Sequence, residues 1–336
     1  MEKRILGRTN FEISVIGFGG IPIQRVDESM AMELISRAYE NGINFIDTAR
    51  GYNQSERLIG QALELIGREK FYLATKSMKR DYNGVLEELD ISLSELKTSY
   101  IDLFQFHNVR TFEELDFILS DNGALKAIKE ARERGIVKEI GITSHSPEIL
   151  SKAIGTGEFS TIQCPYNPVE LQAEELFEKA KKMNIGVIVM KPLAGGAIRN
   201  GELALRFIIN NPNITVVIPG MDSLEQVNTN ASVGINRREL TEEEKNILFE
   251  EANSLGSEFC RRCGYCLPCP QGIDIPTQFL MEGYFTRYNL QEWAKTRYDA
   301  MEKRAVHCIE CGKCESKCPY NLPIRKMLKR VVATLG

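Results

Sequence analysis

The chain has 336 residues, 43% of them hydrophobic, which is the composition of a globular protein long enough to bury a large core. A formal net charge of −4 gives no global basic field for nucleic acid, and no apolar run approaches the roughly 20 residues a membrane helix needs. The first residues, MEKRILGRTNFEISVIGFGG, hold neither an apolar signal core nor a small-residue cleavage site, so the expectation is a cytoplasmic protein.

Ile5–Ser14 reads as a hairpin turning at Arg8-Thr9-Asn10. From there to about Gly234, short apolar runs alternate with amphipathic stretches. Strands are expected at Val15–Gly19, Asn44–Asp47, Tyr72–Thr75, Leu103–Phe106, Glu139–Ile142, Thr161–Gln163, Val187–Met190 and Val216–Ile218. Helical segments lie between and after them: Glu28–Glu40, Glu56–Ile66, Val85–Leu96, Ala124–Arg134, Pro147–Ile154, Ala173–Met183, Leu203–Ile209 and Leu224–Val233. Several stop at Gly42, Gly67, Gly135 or Gly155, the residue type expected where a helix ends left-handed. Eight strand–helix units over about 220 residues is the arithmetic of an α/β (β/α)₈ barrel. A doubly wound open sheet is the competing layout, and periodicity does not separate the two. Thr241–Leu255 follows as a charged helix with Thr241 and Glu244 forming a capping box. Pro276–Arg304 reads as helical, and Leu322–Leu335 as a closing helix.

Cysteines are segregated. Only Cys164 lies in the first 259 residues, at the end of an apolar strand, and it reads as a packing residue. Cys260, Cys263, Cys266 and Cys269 form one run, and Cys308, Cys311, Cys314 and Cys318 another. From Phe259 onward there are 13 Lys and Arg against 7 Asp and Glu, a formal +6, so the preceding residues carry −10. Secreted disulfide frameworks rarely bunch cysteines at every third position, and a Cys₄ zinc site needs only two Cys-x-x-Cys pairs. The second run, with Pro319 after its last cysteine, is the bacterial ferredoxin spacing, in which the fourth thiolate ligates the partner cluster. The first run is one residue shorter in its last gap. By this crossing rule Cys260, Cys263, Cys266 and Cys318 would hold one [4Fe-4S] cluster, and Cys308, Cys311, Cys314 and Cys269 a second. The helical spacer resembles α-helical ferredoxin domains more than the compact β-rich kind.

Arg4-Ile-Leu-Gly7-Arg-Thr9, Ile16-Gly-Phe-Gly19, Asn44-Phe-Ile-Asp47-Thr-Ala49, Tyr52, Glu56, Gly60, Ala74-Thr-Lys76 and Asp102-Leu-Phe-Gln-Phe-His107 occur in one order. That ordered set resembles the aldo-keto reductases, from about residue 3 to residue 233, and implies the barrel. The resemblance implies Tyr52 as general acid, Lys76 as the cation that tunes it, Asp47 as the anchor of Lys76, and His107 as the group that orients a substrate carbonyl. The chemistry agrees, because a free tyrosine is too weak an acid near neutrality and a neighbouring lysine favours its anion. It also implies NAD(H) or NADP(H) as cofactor. Thr143, Ser144 and Gln163 would contact the nicotinamide carboxamide, with His145 beside them. Met190 would pack on the ring where members commonly carry an aromatic residue. Gly19 and Gly20 would contact the cofactor, Leu193 and Gly195 would approach its pyrophosphate, and Gly220, Asp222, Gln226 and Asn230 fall in the stretch after strand eight where members often grip a 2′-phosphate. The stretch 219–230 holds no Lys or Arg, and Asp222 would repel a 2′-phosphate, which favours NAD over NADP.

The sequence therefore predicts a barrel over residues 1–235, a linker helix over 236–258 and a two-cluster ferredoxin-type domain over 259–336. The expected activity is NAD(P)-dependent carbonyl reduction or alcohol oxidation coupled to one-electron transfer, with a small carbonyl or alcohol substrate and a ferredoxin or similar carrier as partner. No nucleic-acid or membrane partner is expected. Two other readings stay open: a dinucleotide:ferredoxin gateway without a carbonyl substrate, and a nucleotide-binding redox sensor.

Overall fold

The computed structural model describes residues 1–255, 258–262, 264–318 and 320–336, so the expected ligand Cys263 and the motif's Pro319 lie outside the described residues. The chain divides into two compact units. The first comprises residues 1–167, 171–192 and 201–241; the second comprises 168–170, 193–200 and 242–336.

The first unit begins with an antiparallel pair, β1 (Lys3–Ile5) and β2 (Glu12–Ser14), joined through a short 3₁₀ turn. Asn10 takes the left-handed conformation there, which its short polar side chain tolerates. Eight parallel strands follow: β3 (Phe18–Gly19), β4 (Phe45–Asp47), β5 (Tyr72–Ser77), β6 (Ile101–Phe106), β7 (Val137–Thr143), β8 (Thr161–Pro165), β9 (Gly186–Met190) and β10 (Val216–Val217). Each pairs with the next in sequence. Hydrogen bonds from Gly17 N to Val217 O (2.8 Å) and Gly19 N to Pro219 O (2.9 Å) join the last strand to the first. Sequential order with that closure is a (β/α)₈ barrel and excludes the open doubly wound sheet.

The helices are α1 (Glu28–Glu40), α2 (Ser55–Ile66), α3 (Tyr82–Glu95), α4 (Phe112–Leu119), α5 (Ala124–Glu133), α6 (Pro147–Gly155), α7 (Glu174–Lys182), α8 (Gly201–Ile209) and α9 (Leu224–Ile235). Asp27, Asp81, Thr111, Ser146 and Ser223 cap five of them, each accepting from a backbone N–H of the first turn, a contact worth about 1 kcal/mol. The sequence reading missed α4. The left-handed residue after α6 is Gly157, not Gly155, which still belongs to the helix.

Burial follows from this layout. Every residue of β6 is buried, as expected for a strand covered on both faces. Phe45, Ala74, Leu103, Ile188 and Val216 pack with Leu6 and Ile13 of the amino-terminal pair, and Phe11 stacks on Tyr72 at 4.7 Å. Tyr72 opens β5, so the hairpin plugs the amino-terminal mouth of the barrel and leaves the carboxyl-terminal mouth for chemistry. Cys164, on β8, is buried in the outer core and makes the packing contribution expected of it.

The second unit contains α10 (Glu242–Leu255), α11 (Ile275–Thr286), α12 (Gln291–Asp299) and α13 (Ile324–Leu335). The helical stretch expected over Pro276–Arg304 forms two helices, α11 and α12, separated where Asn289 takes a positive φ. Ile275, Phe279, Tyr284, Ala294, Tyr298, Met327, Leu328 and Val331 form its apolar interior. Arg330 grips Glu282 with two hydrogen bonds (2.6 and 3.1 Å), tying α13 to α11. Among the described residues no helix is long and apolar enough to cross a membrane.

Candidate active site and iron–sulfur centre

Period-two alternation decides which strand residues face the barrel interior. Asp47 ends β4, Lys76 is the next-to-last residue of β5, and His107 follows the last residue of β6. Tyr52 lies in the loop between β4 and α2, where its N–H donates to Ala49 O and its carbonyl accepts from Ser55 N. All four stand at the carboxyl-terminal mouth.

Lys76 is almost fully buried; its Nζ donates to Asp47 Oδ1 at 2.6 Å and to Thr48 O at 2.7 Å. Asp47 Oδ2 accepts from Gln105 Nε2 at 3.1 Å. The Lys76 ammonium also sits 5.2 Å from the centre of the Tyr52 ring, and that ring meets His107 edge-on at 5.7 Å. Burial pushes the Lys76 ammonium below its ordinary value, with Asp47 and Glu56 pulling it back up. Burial pushes the Asp47 carboxyl up, opposed by Lys76, Gln105 and Gln163. His107 is held well below the usual imidazole value, first by burial and then by the positive charges of Lys76, Arg80 and Lys191. It is therefore a neutral ring near pH 7. Its Nδ1 is buried without a hydrogen-bond partner, as is Gln163 Oε1. Orphaned atoms of this kind are what a polar ligand satisfies.

Three supports had no role assigned to them from the sequence. Gln105 lies two residues before His107 and so shares its face, a parity signal that was available. Arg80 donates to His107 O at 2.7 Å and fixes the backbone beneath the ring. Glu56, buried against Thr75 Oγ1 (2.5 Å) and paired with Arg50, adds a second carboxylate near Lys76. Burial raises its carboxyl above the ordinary range.

The expected cofactor residues of the first unit lie near the carboxyl ends of strands, in the segments that follow them, or on α9. Gly20 N donates to Asp47 O at 2.8 Å, and a Cβ at Gly20 would meet that oxygen at 2.9 Å. Gly19 and Gly220 face each other across the closing seam. Thr143 Oγ1 accepts from Asn108 N (2.7 Å) and Ser144 Oγ donates to Val109 O (2.6 Å), so both buried hydroxyls brace the loop after β6. His145 Nδ1 lies 3.0 Å from Asn108 Oδ1. Met190 is half-buried at the end of β9. Asp222 is paired with Arg25 at 2.8 Å, and its N–H donates to Gln226 Oε1 at 2.9 Å. Asn230 is buried on α9. The cation beside Asp222 thus comes from the segment after β3, far in sequence from the 219–230 stretch that contains none.

Leu193 and Gly195 belong to a segment that packs within the second unit. Gly195 has φ +71°, and its carbonyl accepts from Arg287 Nε at 3.2 Å. In the same unit Arg262 and Glu170 form a buried ion pair at 3.0 Å, and Arg261 Nε donates to Val169 O at 2.9 Å.

The two cysteine runs match in local structure at their described residues. Arg262 and Gly264 take left-handed φ values of 57° and 85°; Glu310 and Gly312, at matching positions, take 56° and 73°. Three residues past the last cysteine of each run, Gly272 N and Asn321 N donate to Cys269 O and Cys318 O, again with positive φ. Six residues past it, α11 and α13 begin. Alternation of left- and right-handed residues turns backbone N–H groups toward an anion, an arrangement that suits iron–sulfur centres. Glu310 N donates to Cys308 Sγ at 3.4 Å in this way. Cys260, Cys266 and Cys318 line a single pocket with Ile275, Phe279, Leu322 and Ile324, so the last cysteine of the second run meets the first run. Cys308 and Cys314 are mutual neighbours, and burial pushes the Cys314 thiol up. Among the described residues no three His, Cys, Asp or Glu side chains converge at single-ion distance. His307 is exposed, its ring accepting from Arg304 N at 3.1 Å.

Comparison with known proteins identifies the first unit. The model of the Aldo/keto reductase family matches residues 15–202, more than half of the chain. The chain belongs to the aldo/keto reductase family. A 4Fe-4S dicluster domain matches residues 259–323, so this aldo/keto reductase is fused to an iron–sulfur domain. It is 25% identical over 297 residues to an uncharacterized oxidoreductase, YqkF, of Bacillus subtilis, covering 73% of this chain and 94% of that one. L-galactose dehydrogenase of Arabidopsis thaliana is 27% identical over 301 residues, covering 73% and 93%. The solved aldo-keto reductase AKR11C1 of Bacillus halodurans, in its holo form, superposes with a TM-score of 0.64 at 25% identity, over 76% of this chain and 96% of that one. The protein is an aldo/keto-reductase-type oxidoreductase with a 4Fe-4S domain.

Proposed function

We propose that this aldo/keto reductase reduces a small carbonyl compound, or oxidises the alcohol, with NAD(H) or NADP(H), and that its tail couples this hydride chemistry to one-electron transfer through two [4Fe-4S] clusters. The observation that carries the first half is the buried Lys76 held between Asp47 and the Tyr52 ring, with neutral His107 alongside. The pocket shared by Cys260, Cys266 and Cys318 supports a cluster in the tail.

When bound, the nicotinamide supplies or accepts a hydride, and the iron–sulfur groups move single electrons. The chain's own residues do the rest. His107, unprotonated and with an orphaned Nδ1, is suited to hydrogen-bond and orient the substrate oxygen. Tyr52 would deliver the proton to that oxygen. Lys76 stabilises the tyrosinate left behind, and Asp47, held by Gln105, keeps Lys76 in place. Gln163, whose carbonyl oxygen is buried without a partner, would accept from the carboxamide of the cofactor. Asp222, already paired with Arg25, favours a 2′-hydroxyl over a 2′-phosphate and therefore NAD. Cys260, Cys263, Cys266 and Cys318 hold one cluster; Cys308, Cys311, Cys314 and Cys269 hold the other. Tyr52→Phe tests the division of labour. It should abolish carbonyl reduction while electrons still pass from the dinucleotide to the tail, and equal loss of both would remove the basis for separating them.

A further inference from the structure

Around the second cysteine run the surface of the tail is unusual. Val306 and Ile309 are each 61% exposed, the most exposed large apolar side chains among the described residues of the second unit. They flank Cys308, and Cys311 is itself exposed. The short 3₁₀ segment Ala305–His307 and the left-handed turn at Glu310 and Gly312 fix the backbone that presents them. Isolated apolar surface residues are ordinary, but two beside an exposed metal-binding thiol leave that thiol at the edge of an apolar spot.

The charged residues close to this spot in sequence are paired asymmetrically. Lys303, Lys313 and Lys317 are exposed and form no ion pair among the described residues. The neighbouring acids are largely spent: Glu310 pairs with Lys329, Glu315 with Arg325, and Asp299 with Arg304. Glu302 is the one nearby acid left without an ion pair among the described residues. An apolar centre with a charged rim is the anatomy of a transient protein interface, and the unpaired lysines give it a sign.

We propose that Val306 and Ile309, rimmed by Lys303, Lys313 and Lys317 beside the exposed Cys311, form the docking surface for a small acidic one-electron carrier protein. The inference rests on the reading of the tail as an electron-transfer module, and it names the partner's charge and the side from which it approaches. Each encounter moves one electron and no proton. One NAD(P)H, oxidised to NAD(P)⁺ and H⁺, therefore matches two oxidised carriers, each reduced by one electron.

The test uses the full-length holoprotein, purified without oxygen, and an acidic bacterial ferredoxin as probe. Binding is measured by biolayer interferometry from low to high salt, together with the rate of ferredoxin reduction. The charge-reversed variant Lys303→Glu/Lys313→Glu/Lys317→Glu should weaken binding at least tenfold at low salt and flatten its salt dependence, because rim charges act mainly through screened, long-range attraction. Val306→Asp should weaken binding at all salt concentrations. Both should keep wild-type iron and sulfide content and reduce a small viologen at the wild-type rate. Unchanged ferredoxin affinity in variants with full iron content would overturn the proposal. Failure of the wild type to bind ferredoxin, with its tail still reduced by a dinucleotide, would overturn the docking surface and leave the coupling intact. Binding lost on charge reversal in a protein whose tail no dinucleotide reduces would uphold the surface and overturn the coupling.

Discussion

Replacing Lys76 by Met isolates the contribution of the buried pair. The Lys76–Asp47 contact is 2.6 Å long and both side chains are all but excluded from water. Removing one partner of such a pair leaves an uncompensated buried charge, at a cost of about 3–5 kcal/mol. In a domain of this size each kcal/mol moves the melting temperature by about 2–4 °C, so Lys76→Met should lower the barrel's transition by on the order of 10 °C. Asp47 can escape part of that cost by taking up a proton, since burial already pushes its carboxyl up and Lys76 is the main opposing group. A carboxyl whose folded-state value is raised favours folding most below its unfolded value, and that support is lost as pH rises through the folded value. The deficit of Lys76→Met should therefore be smaller near pH 5 than near pH 8. Lys76→Met/Asp47→Asn, which removes both charges, should regain most of the lost stability while remaining inactive in carbonyl reduction. Thermal unfolding followed by circular dichroism across that pH range is the assay. A single variant that melts within a degree or two of wild type, or a deficit independent of pH, would refute the reasoning.

Tyr52→Phe should lower kcat for carbonyl reduction by about 10²–10⁴, the usual contribution of a positioned general acid, with the fold unchanged by circular dichroism. Asp222→Ala frees the Arg25 guanidinium from its 2.8 Å partner and should raise the NADPH:NADH ratio of kcat/KM at least about tenfold; an unmoved ratio would place the selectivity elsewhere. Cys266→Ser and Cys318→Ser should remove the same cluster, leaving matching residual paramagnetic spectra, and Cys314→Ser should remove the other. Different residual spectra for Cys266→Ser and Cys318→Ser would break the crossed ligation.

Much of the site was legible because it is written in strand ends. Asp47, Lys76 and His107 sit where a β run gives way to a loop, and the family's order of residues distinguishes them from ordinary surface groups. The barrel itself needed the closing bonds of Gly17 and Gly19 to Val217 and Pro219, because strand–helix alternation is equally good arithmetic for an open sheet. Arg25 was illegible for another reason. It comes to Asp222 from 197 residues away, through the seam that joins the first strand to the last. Leu193 and Gly195 were expected beside the dinucleotide, yet the segment 193–200 packs within the second unit, where Gly195 O accepts from Arg287, a long-range pairing that local pattern does not encode. The equivalence of the two cysteine runs was visible as spacing. Their shared left-handed residues were not, since Arg262 and Glu310 carry no sequence mark of a positive φ.

The central claim is that hydride chemistry in the barrel and one-electron chemistry in the tail belong to one reaction. Anaerobic holoprotein with close to eight irons per chain, titrated with NADH and then NADPH, tests it directly by absorbance and paramagnetic resonance. The account predicts that one dinucleotide, with NADH favoured, bleaches the iron–sulfur absorbance and produces a reduced-cluster signal. Clusters that are reduced by dithionite yet indifferent to both dinucleotides would contradict it.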